Sequence, residues 1–161
     1  MEKSAYQTLV DFWTISKFDI KFGPTPLAGI SKLEDKYAIK LPPSFREYLL
    51  YACPVGVDQH DPDLTTWWEL ERVKSLQEES QGHLGYRIKD LEIQTNAASY
   101  LVFADYMIWS WAWAICCAPG ENYGRILQLY KTEEFVSNSF DGFVQSYIKL
   151  WDKGFFLDKI E

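Results

Sequence analysis

Apolar positions recur at helical spacing at both ends of the chain and alternate in its middle. Tyr6, Leu9, Val10 and Trp13 share one face of a predicted helix over residues 4–17. The piece Gly23-Pro24-Thr25-Pro26 breaks the chain, with Thr25 placed to cap a second helix and Pro26 at its first position. That helix would carry Ile30, Leu33 and Tyr37 inward. Leu41-Pro42-Pro43 breaks again, and Ser44 with Glu47 three residues on has the pattern of a capping box. The third helix would bury Phe45, Tyr48, Leu49 and Ala52 and stop before Pro54.

Residues 55–66 are polar and turn-rich and read as a loop. A short extended stretch around Trp67-Trp68 then leads into a predicted helix from Glu69 to about Glu79, and Gly82 and Gly85 mark another loop. Two strands follow, over residues 99–104 and 107–117. In the second, Met107, Trp109, Trp111, Trp113, Ile115 and Cys117 share one face, and Ile108, Ser110, Ala112, Ala114 and Cys116 share the other. The small-residue face lets a helix or second layer approach closely. Residues 118–124 turn into a third strand over 125–130, an antiparallel hairpin with a long loop. From Ser139 on, Phe140, Phe143, Val144, Tyr147, Ile148 and Trp151 mark an amphipathic closing helix. Helices first, strands later and a helix last predict an α+β layered domain rather than a doubly wound one.

Composition changes this picture in two places. The 161 residues make a single domain large enough to bury its own core without a disulfide or metal. Seven Trp, ten Tyr and ten Phe exceed what one core of this size usually holds, which keeps a binding role open because Trp and Tyr are common interface anchors. The net charge of −7 and the lack of a Lys/Arg run argue against direct nucleic-acid binding; the charge either attracts a basic partner or merely keeps the chain soluble. The N-terminus carries acidic residues without an apolar leader segment, and the uncharged run 106–118 is shorter than a bilayer span. A cytoplasmic chain that crosses no membrane is the expectation. Cys53, Cys116 and Cys117 have no metal-type or redox-type spacing and read as reduced thiols.

Catalytic patterns do not emerge: there is no Gly-rich phosphate loop, paired-His metal motif or nucleophile elbow. A cysteine enzyme would need one of the thiols to meet His60 or His83. Asp58, Asp61 and Asp63 surround His60 in a loop that lacks the regular spacing and turn glycine of a hard-metal site, so a solvated acidic loop is expected, with no cofactor or metal. Trp67 and Trp68, adjacent on an extended segment, would face opposite sides, either filling core or leaving one ring exposed.

The segment Ile30-Ser31-Lys32-Leu33-Glu34, followed by Ile39-Lys40-Leu41-Pro42-Pro43-Ser44-Phe45-Arg46-Glu47-Tyr48-Leu49-Leu50, resembles the N-terminal signature of the SUKH superfamily. Tyr100-Leu101-Val102-Phe103-Ala104-Asp105-Tyr106 with residues 109–115 resembles its central strands, and Gly124-Arg125-Ile126-Leu127 the next one. Ser139-Phe140, Phe143-Val144 and Tyr147-Ile148 resemble its closing helix. The resemblance covers most of residues 26–150. It departs at Cys53-Pro54-Val55-Gly56, where family members often have Asn-Gly. It implies a twisted, mostly antiparallel sheet flanked by N-terminal helices and a C-terminal helix. It also implies a non-catalytic role, as an immunity protein that neutralises a cognate secreted toxin or as an intracellular scaffold. With the acidic balance, a basic toxin such as a nuclease is the expected partner. Asp58, Asp61, Asp63, Glu69 and Glu71 are then the candidate charged contacts, with Trp67 and Trp68 as apolar anchors.

Overall fold

The computed structural model describes residues 3–15, 20–56, 60–61, 64–82 and 87–153, with side chains as far as residue 149. Helix α1 (Ala5–Ile15) packs against α3 (Pro43–Ala52) and α6 (Phe140–Lys153); it buries Leu9 and Trp13 as predicted and also Phe12, while Tyr6 and Val10 are only half-buried. Helix α2 (Leu27–Tyr37) packs on α3 through its buried Ile30 and Leu33, and ends where Ala38 turns left-handed at φ 52°. In α3 the buried residues are Phe45, Tyr48, Leu49 and Ala52, the set its periodicity predicts.

Two predicted caps do not form. The cap of α2 is Pro26 rather than Thr25, whose N–H donates to the Leu50 carbonyl at 2.8 Å, and the cap of α3 is Pro42. Pro43 takes the first helical position of α3, where its fixed φ and missing N–H cost nothing. Ser44 therefore lies inside the first turn, too far along to cap it.

Strand β1 (Phe22–Gly23) pairs with β2 (Cys53–Pro54), which follows α3 directly. The main sheet has six strands: β3 (Thr65–Trp67), β4 (Lys74–Ser75), β5 (Tyr100–Tyr106), β6 (Trp111–Cys116), β7 (Ile126–Leu129) and β8 (Glu133–Ser137). Its order is β3-β5-β6-β7-β8, with β4 also on β5, and every pairing is antiparallel. The α+β architecture is therefore as the element order predicts.

Three local expectations change. Residues 69–79 do not form one helix. A turn at 70–72 leads to β4, and the Ser75 hydroxyl accepts the Glu78 N–H at 3.1 Å where α4 (Leu76–Gly82) starts. The short α5 (Leu91–Thr95), capped by Asp90 through the Ile93 N–H at 3.0 Å, and the strand β8 were not legible from periodicity. The predicted strand from Met107 begins at Trp111, because residues 107–110 form a turn.

Every residue of β5 and β6 is buried. The register shifts between Val102 and Ala104, a bulge at Phe103. The Phe103 ring meets Phe45 at 5.3 Å, Phe140 at 5.8 Å and Phe143 at 5.7 Å. Around it Trp67 meets Trp13 at 5.6 Å and Tyr147 at 5.3 Å, and Trp113 meets Phe143 at 5.5 Å. On the small-residue face Ala112 and Ala114 are fully buried, so that face is covered too. The aromatic surplus is thus largely core: each tryptophan whose side chain is described is at most 9% exposed.

Truncating Phe103→Ala should cost about 3–5 kcal/mol, seen as a lower urea midpoint, whereas Ile108→Ala, at a fully solvated side chain, should stay within about 0.5 kcal/mol. Equal midpoints for the two variants would contradict the packing described.

Candidate protein-binding surface

Of the seven residues expected to meet a partner, Asp58 and Asp63 lie outside the described residues. Asp61 is fully buried. Its carboxylate accepts the Thr65 N–H at 3.2 Å, the Trp67 indole N–H at 3.4 Å and the Tyr147 hydroxyl. It therefore fastens the loop to α6 and β3 and is not a surface contact. A buried carboxylate needs such donors because an unpaired charge in the interior is costly.

Trp67 and Trp68 do face opposite sides, as adjacent strand residues must, but both sides are covered. Trp67 sits in the aromatic core. The Trp68 indole N–H donates to Asp105 Oδ1 at 2.6 Å, and the Arg72 guanidinium lies 4.2 Å from its ring centre. Neither ring is an exposed anchor. Glu69 is half-buried and Glu71 exposed, on the turn that follows β3. Leu64 lies at the other end of that strand, so Glu69 and Glu71 are set apart from it.

One group of exposed apolar side chains lies where the sequence suggested a strand. At the tip between β5 and β6, Ile108 is 97% exposed and Met107 47% exposed, and Leu64 beside them is 47% exposed. All have left-handed backbones, with φ of 45° at Met107, 52° at Ile108 and 67° at Leu64, and Trp109 continues the run at 63°. For residues with a Cβ this region costs roughly 1–2 kcal/mol each, and a β-branched residue is the rarest there.

Buried polar groups hold the strained backbone. The Met107 N–H donates to the Leu64 carbonyl at 3.1 Å and the Ser110 N–H to the Tyr106 carbonyl at 2.8 Å. Asp105 Oδ2 accepts the Trp109 N–H at 2.8 Å, while its other oxygen takes the Trp68 indole and faces Arg72 Nη2 at 3.5 Å. The Trp109 indole N–H donates to Glu79 Oε1 at 2.8 Å, which turns that ring under the tip. Beside the tip lies a groove of about 450 Å³, lined among the described residues by His60, Leu64, Thr66, Met107 and Ile108. Strain of this kind persists only where its surroundings over-determine it, which makes the tip the candidate surface. The alternation of residues 107–117 hid it, because a left-handed turn without glycine leaves no mark in the sequence.

A larger groove of about 790 Å³ runs between the end of α2 and the loop after β6, with Cys117 in its lining. Burial pushes the Cys117 thiol far up, so it is a poor nucleophile. Burial likewise raises Cys53 to about 12, and Cys116 is also raised. Among the described residues no cluster of three or more His, Cys, Asp or Glu could hold a metal ion, and no helix is long and apolar enough to cross a membrane.

Asp61→Ala should destabilise the fold by about 2–4 kcal/mol, Tyr147→Phe by about 1–2 kcal/mol, and the double variant by less than their sum. Additive losses in denaturant unfolding would mean the two groups do not share a bond. A thiol raised by burial stays protonated at pH 8, so a disulfide reagent should modify none of the three cysteines in the folded chain and all of them once unfolded. Rapid labelling of the native protein would contradict that burial.

No family model matches the chain, and no curated protein is significantly similar to it.

Proposed function

We propose that the chain is a non-catalytic protein-binding domain, a cytoplasmic immunity protein of the SUKH type that neutralises a cognate secreted toxin. The observation that carries the binding role is the β5–β6 tip: aliphatic side chains displayed to solvent on a strained backbone that two buried aspartates hold fixed. A tip held in advance loses little conformational freedom on docking, which favours affinity. The net charge of −7 supports a basic partner such as a nuclease, whose approach it would accelerate. Inhibition then comes from covering an active site or an essential surface of the toxin. The buried, protonated thiols support binding rather than nucleophilic chemistry.

In this reading the apolar tip carries most of the affinity, while Glu69 and Glu71 act at most as rim charges. Co-expression with the toxin domain encoded beside the gene should rescue growth and yield a stable 1:1 complex. Met107→Asp with Ile108→Asp should weaken that complex by at least about 100-fold, whereas Glu69→Lys with Glu71→Lys should change it by less than about tenfold. Toxicity in the presence of folded, soluble protein would remove the immunity reading and leave a scaffold role. The opposite ranking of the variants would return the contact to the acidic turn.

A further inference from the structure

We propose that Met107 is a modification site, at which peroxide converts the thioether to the sulfoxide and turns the β5–β6 tip more polar while the fold stays intact. The consequence for docking rests on reading that tip as the protein-binding surface; the modification itself does not. A thioether reacts where oxidant reaches its sulfur, so exposure decides which sulfur is modified. Met107 is 47% exposed. Cys53, Cys116 and Cys117 are at most 2% exposed, and burial keeps their thiols protonated. The other methionine, Met1, lies outside the described residues. Among the described residues, Met107 therefore carries the one sulfur that solvent reaches.

Hydrogen peroxide supplies the oxygen. The Met107 sulfur attacks one peroxide oxygen with its lone pair, and an S–O bond forms as the O–O bond breaks. The second oxygen leaves as hydroxide and takes the proton of the first, giving water. Sulfur loses two electrons and the peroxide gains them. Methionine sulfoxide reductases reverse the change, so the site can be reset.

Oxidation of a buried methionine disrupts a core, but this side chain is not part of the core. The turn is held by other groups. The Met107 N–H donates to the Leu64 carbonyl at 3.1 Å, and the Met107 carbonyl accepts the Ser110 N–H at 3.2 Å and the Ser110 hydroxyl at 2.8 Å. Asp105 holds the Trp109 N–H at 2.8 Å. None of these bonds uses the thioether, so the backbone outlasts its oxidation. The new S–O group then stands beside Ile108 and Leu64 at the groove. Covering it with an apolar partner surface would leave a strong acceptor without a donor, which costs free energy.

The test is peroxide treatment of the purified full chain, followed by peptide mass mapping, which separates Met107 from Met1. Met107 should gain one oxygen at a rate within about tenfold of free methionine. The melting temperature should stay within about 2 °C, retention on a hydrophobic-interaction column should fall, and methionine sulfoxide reductases should restore it. The oxidised chain should bind the toxin domain at least about tenfold more weakly. Met107→Leu has no thioether, so its treated and untreated forms should bind alike, whatever their starting affinity. Slower oxidation of Met107 than that, or loss of the fold on oxidation, overturns the proposal. Equal toxin binding by oxidised and reduced wild type overturns the switch and leaves the binding reading standing. A reduced chain that binds no toxin removes the binding reading, and the mass, melting and retention measurements still decide the modification.

Discussion

The burial of β5 on both faces is the constraint from which the rest of the molecule follows. All seven of its residues are hidden from water, so its backbone groups must find partners within the protein. That demand is met by β6 along one edge, by β3, β4 and the Trp68 N–H on the other, and by the Ser110 N–H at its end. The bulge at Phe103 then turns an extra aromatic ring toward the helices, where it joins Phe45, Phe140 and Phe143. A strand buried this completely has no cheap place for a charge. Asp105 is therefore bound to find partners, and those partners shape the tip.

The same logic joins the core to the surface. Asp105 is only 2% exposed and takes the Trp68 indole and the Trp109 backbone N–H beside Arg72. Asp61, fully buried, takes the Thr65 N–H, the Trp67 indole and the Tyr147 hydroxyl. One carboxylate fixes the turn after β5 and the other fixes the loop before β3, and the Met107 N–H to Leu64 carbonyl bond ties the two segments together. Interior electrostatics thus set the conformation of the exposed aliphatic side chains. These two carboxylates act on the tip from beneath rather than at its surface.

The sheet's outer edge is managed in the opposite way. Strand β8 carries Glu133 and Glu134, and its register shifts opposite Ile126 and Leu127. Glu133 also accepts the backbone N–H groups of Lys89 and Asp90. Charge, irregular pairing and a covering segment all discourage addition of another strand there.

The sequence by itself determined the class of fold, the core faces of α1, α2, α3 and α6, and the hairpin of β6 and β7, because amphipathic spacing reports burial directly. It singled out Asp61, Trp67 and Trp68 as surface contacts, but the structure buries all three side chains. Tertiary structure alone decided that these side chains point inward and that Met107 and Ile108 point out. Periodicity cannot distinguish a tryptophan that packs under α6 from one that waits for a partner, since both are apolar residues on a strand. Nor can it foresee a left-handed turn at Met107, Ile108 and Trp109. That backbone exists because Asp105, Glu79 and the Leu64 carbonyl, remote or out of register in sequence, converge on it in space.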